Sequence, residues 1–111
     1  MTTGYCLVLC TCPDEACARL LASALVDERL AACVNLLPGV SSLFRWQGAV
    51  EQANEWLALI KTRSDRYPEL EARIQQLHPY DTPEIIALPI IAGSTPYLNW
   101  VAAATTPESP R

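Results

Sequence analysis

The residues best able to do chemistry in this chain lie in one heptapeptide, His78-Pro79-Tyr80-Asp81-Thr82-Pro83-Glu84, and in five scattered cysteines. The heptapeptide holds the sole histidine, a tyrosine and two carboxylates. An imidazole combined with a thiolate suits copper or zinc better than magnesium or calcium. The cysteine count is odd and contains no CxxC pair, which argues against a disulfide framework or a zinc knuckle. Reduced thiols are therefore expected. If Tyr5 to Cys12 is a strand, Cys6, Cys10 and Cys12 share one of its faces. Small buried core cysteines would give the same pattern.

Two prolines stiffen the heptapeptide. Each fixes its own φ near −65° and pushes the preceding residue, His78 or Thr82, towards extended backbone. Fully extended, His78 and Glu84 stand roughly 20 Å apart, and His78 and Asp81 roughly 10 Å. One ion reaches all three only if the loop turns back or another subunit contributes. A solvated proline-rich turn is the plainer reading of the same residues.

The elements around the heptapeptide follow from hydrophobic spacing. Tyr5 to Cys12 reads as a buried strand. Pro13 fits the first position of a helix reaching about Arg29, with Asp14 and Glu15 at its positive end. Two long β runs follow, Ala32 to Trp46 and Ala49 to Thr62, joined at Gln47-Gly48. Pro38-Gly39 marks a bend or bulge in the first run. Ser64 is placed to cap a second helix, in which Tyr67, Leu70, Ile74 and Leu77 recur at helical spacing. Ile85 to Ile91 is the fourth strand. Ser94 or Thr95, with Pro96, opens a short third helix.

The order βα, ββ, αβ, then a last helix predicts an α+β chain. Its fold is a ferredoxin-like, split βαβ sandwich with a long β-hairpin and a short C-terminal helix. Residues 1–104 form the single domain and residues 105–111 a frayed tail. Such a domain is about 34 Å across, whereas fourteen extended residues from Cys33 to Trp46 span roughly 46 Å. The hairpin tip, with Phe44 and Trp46, should overhang its own domain. An arm of that kind needs a partner, most simply another copy of the chain.

Composition narrows the function. Eight Lys and Arg are scattered among twelve Asp and Glu, so no basic footprint for nucleic acid exists. No apolar run approaches the roughly eighteen residues that a membrane span needs, and a cytoplasmic protein is expected. No Gly-rich phosphate loop, HExxH or evident nucleophile with a His/Asp partner is present, so no enzyme is expected.

Three stretches carry a resemblance: Leu30-Ala31-Ala32-Cys33-Val34-Asn35 leading into Pro38-Gly39, then Trp46-Gln47-Gly48, then His78 through Ile86. With Pro13-Asp14-Glu15 before them, they resemble the CutA family of divalent-cation tolerance proteins, from about Tyr5 to Val101. The resemblance implies a single CutA-type domain assembled as a homotrimer and associated with copper binding and metal tolerance. By motif match, Cys10 and His78 fall on positions proposed to contact copper in some members, and Glu84, which ends the same motif, is the third expected metal residue. Leu77 stands where some copper-binding members carry a second histidine. Gln47 and Ala49 replace the Glu and Lys common around the turn, and Cys12 replaces a common alanine.

The resemblance also implies a shape related to PII-type signalling proteins. The alternative function is thus a trimeric regulatory module. It would bind a small anionic ligand in a cleft between subunits, using Trp46, Lys61, Arg63, Tyr80 and Glu84.

Overall fold

The computed structural model describes residues 3–107. Four strands form one antiparallel sheet in the order β2-β3-β1-β4: β1 (Tyr5–Cys12), β2 (Cys33–Trp46), β3 (Ala49–Arg63) and β4 (Ile86–Pro89). Helices α1 (Glu15–Asp27) and α2 (Tyr67–Leu77) join β1 to β2 and β3 to β4, and α3 (Thr95–Ala104) follows β4. β1 and β2 are separated by the antiparallel β3, which is the split βαβ arrangement expected.

β1 alternates. Cys6, Val8, Cys10 and Cys12 are buried, and their partners across β3 include Ala58 and Ile60. These residues meet Ala18, Leu21 and Leu25 of α1 and Leu70 and Ile74 of α2 in one core. The period of two in the strands and of 3.6 in the helices places one apolar face of each element on that core.

Several boundaries differ from the expectation. Pro13 lies outside α1, because the Asp14 carboxylate accepts the Cys17 N–H at 2.8 Å and so caps the helix from the residue after the proline. Ser64 opens a 3-10 turn, Ser64–Arg66, and gives no side-chain cap; α2 begins at Tyr67 with Pro68 in its first turn. β4 is shorter than Ile85–Ile91 because Pro89 offers no N–H to the ladder. Ile90 N–H still donates to Tyr5 O at 3.0 Å.

The tail does not fray at Thr105. That residue is fully buried, and its hydroxyl donates to Val101 O at 2.7 Å. Residues 108–111 of the expected tail lie outside the described residues.

The hairpin overhangs as its length predicts. β1 covers β3 only from Trp56 to Arg63, so Ala49–Glu55 pairs with β2 alone. The molecule measures 49 × 34 × 22 Å. Gln47 (φ 49°) and Gly48 (φ 81°) form the two-residue turn, both left-handed as a primed hairpin turn requires. A bulge interrupts the ladder between Leu37↔Leu57 and Val40↔Glu55.

Candidate metal centre

β1 ends where α2 ends. The Cys10 and Cys12 side chains therefore come to the same place as His78, the residue that terminates α2 by donating its N–H to Ile74 O at 2.8 Å. One donor atom from each of Cys10, Cys12 and His78 lies within 4.8 Å of the other two. Both cysteines are 0% exposed and the histidine 7%.

The imidazole is held at both nitrogens. Nε2 lies 2.8 Å from the Thr11 carbonyl, which can only accept, so Nε2 carries the proton. Nδ1 then accepts the Tyr80 N–H at 3.2 Å. This local bond belongs to bends at residues 79–82, so the heptapeptide curls and is not the extended connector its prolines suggest. A metal ion at either nitrogen would have to displace one of these two bonds, and the bond left on the other nitrogen would orient the ring.

Two neighbouring thiols are held in the protonated form. Hydrogen bonding with Cys10, then burial, pushes the Cys12 thiol well above its ordinary value of 9.0. Burial, followed by the neighbouring Cys12, pushes Cys17 up to about 12. A metal ion would have to displace such protons from its ligands. The donor set of two thiols and an imidazole fits a soft or borderline ion and not a hard one.

The other expected site residues fall elsewhere. Glu84 does not join the cluster. It lines a groove of about 910 Å³ between the hairpin arm and the 80–84 loop, together with Trp46 and Tyr80. Glu51, Glu55 and Asp81 add three more carboxylates, and among the described residues no Lys, Arg or His lines the groove. Lys61 and Arg63 sit at the far end of β3. Lys61 Nζ donates to Asn35 Oδ1. Arg63 donates to Thr105 Oγ1 at 3.1 Å and to Thr105 O at 3.2 Å. From Ala49 to Lys61 is roughly 40 Å of strand, so within one protomer the expected cations do not meet Trp46, Tyr80 and Glu84.

Two residues were not singled out from the sequence. Cys12 is the third donor, and its signal was its shared strand face with Cys10. Glu55 is a buried carboxylate, 6% exposed, whose Oε2 accepts the Tyr80 hydroxyl at 3.0 Å. Burial and this bond push the Tyr80 phenol up to about 12. Nothing in the β run around Glu55 signals its burial.

The family described as CutA1 divalent ion tolerance protein matches residues 6–104. The chain belongs to the CutA1 family. It is 52% identical over 99 residues to a divalent-cation tolerance protein CutA from Thermus thermophilus, covering 89% of this chain and 96% of that relative. A solved structure of a divalent cation tolerance protein from the same species superimposes with a TM-score of 0.90 at 50% identity, covering 92% of this chain and 99% of that one. A CutA crystal structure from Xylella fastidiosa gives 0.92 at 40% identity, covering 94% of this chain and 100% of that one. The ferredoxin-like α+β fold of this CutA1 chain thus agrees with the solved structures of its relatives. No helix among its described residues is long and apolar enough to cross a membrane.

Proposed function

We propose that this CutA1 chain is a cytoplasmic, homotrimeric divalent-cation tolerance protein that binds copper through Cys10 and His78 and catalyses no reaction. The convergence of buried Cys10, Cys12 and His78 donors within 4.8 Å of one another carries the metal reading. Names of relatives at about half identity point the same way, since they are divalent-cation tolerance proteins. The overhanging hairpin with its open β2 edge supports assembly of copies. Five free cysteines suit a reducing compartment. An anionic ligand finds no cation in the groove of a single protomer, where four carboxylates would repel it.

The test is calorimetric titration of copper into the reduced protein, its His78→Ala variant and its Cys10→Ser variant, at neutral pH. Both variants are expected to bind more weakly than the wild type, and magnesium and calcium are expected not to bind. If both variants bind copper as the wild type does, Cys10 and His78 hold no metal. Light scattering should give three times 12.2 kDa; a monomer persisting at micromolar concentration sinks the trimer.

A further inference from the structure

We propose that Cys12 is a third metal ligand, making this centre a two-thiolate, one-imidazole site selective for monovalent copper. The proposal rests on the metal-binding reading of the same site and specifies the donors and the ion.

Four observations converge on Cys12. Its sulfur belongs to the set of three donors within 4.8 Å, in which Glu84 takes no part. Cys10 and Cys12 are two apart in β1, opposite Ala58 and Trp56, so both point into the helix-covered face. Neither thiol has solvent access. Cys17, half-buried in the first turn of α1, hydrogen-bonds with Cys12 and packs beside it.

Geometry favours bridging by an ion over a disulfide. Two residues apart on an extended strand, the Cα atoms are roughly 6.6 Å apart, near the upper limit for a disulfide. Both cysteines are free in the structure.

The donor count selects the ion. A structural zinc centre takes four protein ligands in a tetrahedron. The buried cluster offers three, two of them sulfur. Monovalent copper accepts low coordination and prefers thiolate. Binding releases the proton of each thiol as its sulfur becomes a thiolate ligand. With Cys10 and His78 alone, the site would have one sulfur and one nitrogen and would hold monovalent copper less tightly.

The experiment is an anaerobic titration of monovalent copper against a chromogenic copper(I) chelator. It uses the reduced full-length protein and its Cys12→Ala, Cys12→Ser and Cys33→Ser variants. X-ray absorption at the copper edge is recorded on each loaded sample. Cys33 lies outside the cluster and serves as the thiol control. Both Cys12 variants should lose affinity by more than the roughly ten- to hundredfold typical of an outer-shell partner. Copper should see two sulfurs in the wild type and in Cys33→Ser, and one in the Cys12 variants. Using two Cys12 substitutions guards against one that fails to fold. Wild-type affinity and two sulfurs in either folded Cys12 variant overturn the role of Cys12 alone. If His78→Ala and Cys10→Ser also bind as wild type, the metal reading of the whole site is overturned with it.

Discussion

Between Trp56 and Arg63, β3 has β1 on one side and β2 on the other; between Ala49 and Glu55 it has β2 alone. The inner half is richer in large apolar residues (Trp56, Leu57, Leu59, Ile60) than the arm, where Val50 is the one aliphatic side chain larger than alanine. Ile60 on the inner half is 1% exposed, while Val50 on the arm is 64% exposed. Residue type alone still does not decide burial along this strand, since the charged Glu55 is buried and the aliphatic Val50 is exposed. What packs over each half decides it: two helices at one end, and no other element of the described chain at the tip. The inner half stabilises the protomer, and the outer half offers surface to something else.

The largest expected effect comes from the inner half. Ile60→Ala should cost about 3–5 kcal/mol in chemical denaturation, since it leaves a cavity in the close-packed core. A loss below about 1 kcal/mol would show that the two halves of β3 are energetically alike.

Trp46→Ala on the arm should cost about 2 kcal/mol, read as a loss that grows on dilution. The indole is half-exposed in one protomer, so its cost depends on a neighbour covering it. Melting temperatures independent of concentration in both proteins would make the arm a solvated tip.

Tyr80→Phe probes the junction of the two halves, because Tyr80 reaches Glu55 at the root of the arm. About 1 kcal/mol should be lost at neutral pH, as Glu55 keeps its burial and loses a donor. The phenol is held above its ordinary value of 10.0, at about 12. Its contribution is thus complete below pH 10 and disappears as pH rises towards 12. Wild type and variant should converge in stability across that interval. An absorbance titration of the phenols should also lose its component near pH 12 in the variant.

The smallest effect belongs to Val50→Ala, expected within about 0.5 kcal/mol in the isolated protomer. A larger loss confined to the assembled form would place Val50 beneath a neighbouring copy.

Much of this contrast was legible in the sequence. Tyr67, Leu70, Ile74 and Leu77 bound α2 where the structure does, because helical spacing acts locally, although the cap expected at Ser64 is not made. Gln47-Gly48 and Pro38-Gly39 marked the turn and the bulge through their backbone preferences. The overhang followed from comparing strand length with domain size. The start of α1 was misplaced because Pro13 and Asp14 are both good helix-start residues, and only the Asp14–Cys17 bond separates them.

The site was half legible. Cys10 and His78 meet because β1 and α2 end together. Glu84 was expected beside them, but motif proximity says nothing about which way a curled loop points. Cys12 was legible as a neighbour of Cys10 on one strand face, whereas the burial of Glu55 depends on the Tyr80 loop folding over it, which no local pattern encodes.

The bulge at Pro38-Gly39 acts as a phase shifter. Below it, odd-numbered residues of β2 stand opposite odd-numbered residues of β3, as in Leu37↔Leu57; above it, even stands opposite odd, as in Trp46↔Ala49. Because side chains alternate with a period of two, one extra residue exchanges the faces of everything beyond it. Phe44 and Trp46 consequently share a face with Asn35 and Leu37. Without the inserted residue they would share the face of Val34 and Leu36, turned towards the helices. A single backbone step near the middle of β2 thus decides which side of the sheet carries the arm's aromatic rings.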